Sequence, residues 1–169
     1  MGRSADYSKQ KSAIAATLDI VGEPWTLLIL RDAFRGLSRF EQWQESLGLA
    51  RNVLAARLKS LVHHGVLEAR VYCERPRRQE YLLTEKGQEL QPILLYMMTW
   101  GERHVYNGYT SETEMLHICG KPFEPVIKCA HCDAAMKRSD ITVIRNAEAP
   151  SVGDIHAAQG ELEKKLERA

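Results

Sequence analysis

A mainly α-helical fold carrying one small β-hairpin is what the sequence predicts, and three observations predict it. Apolar residues recur at spacings of three and four through most of the first hundred positions, the signature of amphipathic helices. That pattern breaks once, into two adjacent β-rich runs, Val66 to Cys73 and Arg78 to Leu83, joined by Glu74-Arg75-Pro76-Arg77. Glycine and proline punctuate the rest, at Gly22-Glu23-Pro24, Gly36, Gly48 and Gly65. The length of 169 residues, 44% of them apolar, suffices for one packed domain with a small appendage. Charged residues make up 27%, with 23 Lys and Arg against 22 Asp and Glu, which excludes a disordered polyelectrolyte. No apolar stretch reaches the ~20 residues that span a bilayer, and the Met1-to-Tyr7 segment lacks the apolar core of a secretory signal. The expectation is a cytoplasmic protein with no membrane partner.

The first helix is expected over residues 8–22, where Ile14, Leu18 and Val21 share a face, and Gly22-Glu23-Pro24 ends it. Pro24 suits the first position of a second helix, Trp25 to Phe34, whose Leu27, Leu28, Ile29 and Leu30 make it central. Ser38 then caps a short third helix, Arg39 to Ser46, with Phe40, Trp43 and Leu47 inward. Gly48-Leu49 is a tight turn. A fourth helix runs from Arg51 to His64 and stops at Gly65. After the hairpin, Thr84 caps a long helix reaching about Tyr106, apolar on most faces through Leu90, Ile93, Leu94, Met97, Met98 and Trp100. A helix of that kind must be covered on most faces, and a second copy of the chain is the economical cover. Residues 8–108 are therefore read as one domain that also dimerises. Residues 115–145 form a cysteine-bearing extension with a strand at Ile141, Val143 and Ile144, and residues 146–169 a charged tail, a weak helix from Glu161 to Arg168 or disordered.

A short helix, a glycine turn and a longer helix make a helix-turn-helix unit, and the hairpin adds a wing. At 100° per residue, Leu54, Leu58, Leu61 and Val62 share the inner face of the fourth helix, and Asn52, Ala56, Lys59, Ser60 and His63 lie opposite. Such a small, polar outer face can enter the DNA major groove. Asn52 is placed to read adenine, Lys59 to meet guanine or phosphate, and Ala56 to allow close approach. Arg51 stands at the helix tip, and Arg39 at the start of the preceding helix. Arg57 lies on a flank, facing either DNA or a neighbouring acid. Arg75, Arg77 and Arg78 crown the wing, where basic residues reach phosphate or the minor groove. From Arg35 to Glu80 nine basic residues stand against five acidic ones, a local net of +4 in a nearly neutral chain.

The sequence resembles the HxlR-type winged helix-turn-helix transcriptional regulators of bacteria. The resemblance covers residues 8–106 and rests on Leu18-Asp19-Ile20-Val21-Gly22, Trp25-Thr26-Leu27-Leu28-Ile29-Leu30-Arg31-Asp32, Arg39-Phe40, Asn52-Val53-Leu54-Ala55-Ala56-Arg57-Leu58, Gly65-Val66-Leu67, Pro76-Arg77-Arg78-Gln79-Glu80-Tyr81, Leu83-Thr84-Glu85-Lys86-Gly87 and Trp100-Gly101. It implies a homodimer on a pseudo-palindromic operator in double-stranded DNA, repressing or activating nearby genes, often in response to a small-molecule effector. Many members sense oxidants through a cysteine just before the first helix. Ser12 stands at that place here, and a hydroxyl is no thiolate. Ala50-Arg51 replaces the family's Ser-Pro start of the recognition helix, giving up a cap worth roughly 1 kcal/mol and adding a positive charge.

Cys129-x-x-Cys132 is half of a zinc site, and His117 with Cys119 offers the other half. One structural zinc per chain in a ribbon-like extension, or a ribbon that has lost its metal, are the two readings. Four protein ligands would leave no open position for catalysis. Cys73 stands alone in the wing, as a small buried hydrophobe. Neither a Ser/His/Asp set, a carboxylate pair nor a phosphate loop appears with usable spacing, so an enzyme is not expected. A winged-helix module that binds protein instead of DNA is the alternative to the regulator.

Overall fold

A computed structural model of the chain describes residues 5–106, 108–109, 115–144 and 146–166. The contacts group the described residues into two units, 5–89 with 146–166, and 90–144. These boundaries differ from those expected at 108, 115 and 145. The first unit gains the C-terminal stretch, and the second begins where proline interrupts a helix.

In the first unit, α1 (Ala13–Val21) starts later than residue 8, with Ser12 as N-cap accepting from the Ala15 amide. The second helix, α2 (Thr26–Phe34), begins one residue later than expected, because Trp25 takes a left-handed conformation (φ 75°) that no helix continues. Then come α3 (Phe40–Leu47), a left-handed turn at Gly48 (φ 63°), and α4 (Arg51–His63). Gln42, not Ser38, closes the start of α3, its Oε1 accepting from the Ser38 and Arg39 amides at 3.0 and 2.9 Å. The wing is β1 (Leu67–Glu74) paired antiparallel with β2 (Arg77–Leu83), with a bulge between Val71 and Cys73. Glu74 and Arg77 thus belong to the strands, and only Arg75-Pro76 forms the tip.

The core of this unit is Ile29, Leu30, Trp43, Leu54, Leu58, Leu61, Val66 and Leu67, all essentially removed from water. Burying one such side chain contributes ~1.5–3 kcal/mol. The Trp43 indole N–H donates to the Ile29 carbonyl at 3.1 Å, and its ring meets Tyr81 edge-on at 6.1 Å, joining α2, α3 and the wing. Asp32, buried on α2, accepts from Ser46 Oγ at 2.7 Å and from Arg31 Nε at 2.8 Å. Arg39 and Glu80 form an isolated bridge, and the Tyr81 amide donates to the Ser38 carbonyl at 2.7 Å, so the wing is stitched to the start of α3.

The long helix expected from Thr84 to Tyr106 is broken. A single turn, α5 (Glu85–Gln88), ends before α6 (Gln91–Gly101), which continues into a wider π-helical turn over Glu102–Tyr106. Pro92 is the cause: it has no N–H for the carbonyl four residues back, and it suits only the first turn of a new helix. Thr84 caps α5 as expected, accepting from the Gly87 amide at 3.1 Å.

The C-terminal stretch forms α7 (Val152–Leu166), which starts well before Glu161. Ser151 and Asp154 cap it reciprocally: the Ser151 amide donates to Asp154 Oδ2 at 2.9 Å, and the Asp154 amide to Ser151 Oγ at 3.3 Å. The amides of Val152 and Gly153 reach the carbonyls of Gln10 and Ser8, so this end of α7 is tied to the segment before α1.

The second unit, besides α6 and its π-helical end, holds a 3₁₀ turn at Arg138–Asp140 and two bridged turns. One is bridged by Leu116 and Pro122, the other by Lys128 and Ala135. The strand expected at Ile141, Val143 and Ile144 is not formed; these residues are irregular and exposed, with no partner strand among the described residues. No single described helix is long and apolar enough to cross a membrane.

Candidate nucleic-acid interface

The geometry of α4 follows from its inner face. With Leu54, Leu58 and Leu61 at zero exposure, the helix can rotate no further, and Arg51, Asn52, Ala55, Ala56 and Lys59 are left in water. Ala55 is the member of this face that helical spacing did not single out, since at 100° from Leu54 it sits on the edge. No side chain caps α4 at Ala50. Its first positive charge is held in place: the Arg51 guanidinium lies over the Phe40 ring at 4.9 Å and donates to Gln44 Oε1 at 3.0 Å, both on α3. Asn52 spends its carbonyl on the adjacent Val53 amide at 3.0 Å, and its NH₂ group keeps two donors for a base edge.

Ser60 is placed differently. It is half-buried and lines a cleft with His63, His64, Ala16 and Ile20. Arg57 pairs with Glu23 at 3.3 Å, two largely buried side chains tying α4 to the turn after α1. Of the two roles open to Arg57, the ion pair is the one the structure displays.

On the wing, Arg75, Arg77 and Arg78 are exposed. At its bulge the Arg39 guanidinium lies over the Tyr72 ring at 4.7 Å, so one cation bridges the start of α3 and the bulged strand. That stacking partner was not visible in the sequence, because the bulge decides which way Tyr72 faces. The cations at the tip of α4, at the α3 start and on the hairpin thus belong to one unit of the chain.

The cysteine extension presents two separate pairs. Cys119 donates its amide to His117 Nδ1 at 3.3 Å, and the His117 ring stacks toward Phe123. The amides of His131 and Cys132, then the Cys132 thiol, donate to Cys129 and hold its thiol below the usual range. Among the described residues no group of three or more His, Cys, Asp or Glu side chains stands close enough to hold an ion. The thiol pair has the chemistry of a zinc half-site, but His117, Cys119, Cys129 and Cys132 are not gathered into one ligand set as they stand.

A family model described as HxlR-like helix-turn-helix matches residues 20–109. Rv3095 of Mycobacterium tuberculosis, an uncharacterized HTH-type transcriptional regulator, is 36% identical over 131 residues, 77% of this chain and 83% of the relative. YdeP of Bacillus subtilis, named in the same way, is 33% identical over 103 residues, 59% of this chain and 80% of its own. Among solved structures, PA1607, a candidate transcription factor, aligns with a TM-score of 0.74 at 38% identity, covering 84% of this chain and 100% of its own. The redox regulator HypR in its reduced form aligns with a TM-score of 0.53 at 33% identity, over 58% of this chain and 100% of its own.

Proposed function

The chain belongs to the HxlR-like helix-turn-helix family and is a DNA-binding transcriptional regulator, not an enzyme, and we propose that it grips a pseudo-palindromic operator as a homodimer. In this reading α4 enters the major groove with Asn52, Ala56 and Lys59 toward the bases and Arg51 at the backbone. Ser60 sits at the margin of the contact. Arg75, Arg77 and Arg78 follow the phosphates or the minor groove, and Arg39 supports the wing from α3. The observation that carries the reading is the exposed polar face of α4 beside an exposed arginine-tipped hairpin, on one rigid three-leucine support.

The dimer reading is supported by apolar side chains left in water. On α6, Met97 is 49% and Trp100 62% exposed, and on α1 Ile14 is 74% exposed. Patches of this kind mark protein contact surfaces. The protein works in the cytoplasm and represses or activates nearby genes in response to an effector. Ser12 caps α1 where a sensing thiolate would sit, so the effector signal enters elsewhere. One structural zinc per chain on His117, Cys119, Cys129 and Cys132, drawing the two turns together, completes the proposal; elemental analysis of purified protein tests this, and a metal-free result removes it.

Titration of the chain's own promoter fragment against a random duplex tests the operator reading. A preference for the promoter that shifts at one base position in Asn52→Ala is expected, at ~1–3 kcal/mol. Equal binding to both duplexes would leave only the protein-binding winged module.

A further inference from the structure

We propose that the cleft enclosed by α1, the C-terminal end of α4 and α7 is a binding site for a small amphipathic carboxylate. Its volume is about 710 Å³, inside the ~300–1,000 Å³ typical of small-molecule sites. One wall is polar: the Lys86 ammonium and the imidazoles of His63, His64 and His156, with Ser60 and Gln159 as further hydrogen-bonding groups. The other is apolar: Ala16, Ile20, Ile155 and Leu162. Among the described residues no Asp or Glu lines the cleft, and the buried Asp19 is paired at 3.5 Å with His156, itself a lining residue. The Lys86 ammonium beside three imidazole hydrogen-bonding groups suits an anion, and the facing hydrocarbon wall suits an apolar body attached to it.

Two features separate this cleft from an ordinary helix seam. The N-terminal end of α7 is closed down, with Val152 at 2% exposure and backbone bonds to the segment before α1. Further along, the helix stands off: Leu162 is 60% exposed, and a Cβ added at Gly160 would meet nothing within 4 Å. The space is lined but unfilled. The three imidazoles are also gathered, His63 to His64 at 5.0 Å and His64 to His156 at 6.3 Å between ring centres.

The site touches the DNA-reading helix directly. Lys86 Nζ donates to the His64 carbonyl at 2.9 Å, capping the end of α4. An ammonium has three donors, so a carboxylate can share it with that carbonyl. Ligand binding then joins α7, α5 and the end of α4 through one cation. Any change in DNA affinity equals the ligand's preference for one position of that assembly. Only this consequence rests on the regulator reading; the binding itself does not.

Octanoate and 2-naphthoate serve as probes, with octan-1-ol and 2-naphthamide as neutral counterparts, read by calorimetry and by the imidazole NMR signals of the full chain. The expected result is saturable binding of both carboxylates with Kd below ~1 mM, movement of the His63, His64 and His156 signals, and at least ~tenfold weaker binding of the neutral pair. Lys86→Gln and Gly160→Leu each lower carboxylate affinity at least ~tenfold; Gly160→Leu fills the open space on a helix without touching Lys86. Should Lys86→Gln fail to fold, Gly160→Leu alone carries the test. Unmoved imidazole signals, equal affinity for the neutral pair, or full affinity in Gly160→Leu would overturn the proposal. Promoter binding by the ligand-free protein is measured alongside, and its loss would count against the regulator reading alone.

Discussion

Asp32 shows how a single side chain organises the helix-turn-helix. Its carboxylate is buried between α2 and α3, takes the Ser46 hydroxyl on one oxygen and Arg31 on the other, and lies 3.9 Å from Arg35. Asp32→Ala removes the buried carboxylate that ties Ser46 and Arg31 together and is expected to cost about 1.5–3 kcal/mol, as for a hydrogen bond to a charged group, measured by urea unfolding. A loss no larger than that of an exposed control such as Glu41→Ala would contradict the role. In the sequence Asp32 was part of a family motif and nothing more, because its partner lies fourteen positions away and no local period announces it. The inner leucines of α4 are the opposite case. Leu54, Leu58 and Leu61 were legible from spacing alone, since helical geometry and burial demand the same positions.

At the scale of elements, the helix-turn-helix and wing fall within a residue of the boundaries that glycine and the apolar period imply. The elements after Thr84 do not. Pro92 was hidden inside a strongly apolar run, and the apolar signal outweighed the missing N–H. In α7 neither Pro150 nor Gly153 breaks the helix: Pro150 precedes the cap, and Gly153 is where the helix approaches the Ser8 backbone. A Cβ there would stand 3.1 Å from the Ser8 carbonyl oxygen. Gly87 in α5 is tighter still, with a Cβ 2.2 Å from the Val66 carbonyl oxygen. Gly87→Ala must push α5 off the wing, and an expected loss of ~1–3 kcal/mol follows; an unchanged denaturation midpoint would refute the packing. The α7 cap carries a pH dependence. Hydrogen bonds from Ser151 lower the Asp154 carboxyl below the usual range. Because the folded-state value is depressed, the cap's contribution is complete above the ordinary carboxylate range and is lost as pH falls through the lowered value. Protection of the amides at the start of α7, measured relative to their intrinsic exchange rate at each pH, should therefore fall on acidification in the wild type and lack this pH dependence in Asp154→Asn.

For the molecule as a whole, assembly and DNA binding follow from surfaces that one copy leaves open. In the proposed dimer a second chain covers half-exposed Met97 and the Trp100 ring on α6. Met97→Glu puts charge into that contact and is expected to halve the mass seen by light scattering without unfolding the chain. A wild type already of single-chain mass at micromolar concentration would contradict the dimer. What the sequence could not convey at this scale is how the chain returns after the extension to lay α7 against α1, since that return depends on tertiary backbone bonds rather than on any periodic signal. The central claim, that α4 and the wing grip duplex DNA together, is tested most directly by the salt dependence of promoter binding in wild type and Arg78→Ala. Each phosphate contact contributes about −0.9 to the slope of log K against log salt, so the account predicts a steep wild-type slope that becomes shallower by about one unit in the variant, with sequence preference retained. Identical slopes in the two proteins, or a wild-type affinity indifferent to salt, would contradict it.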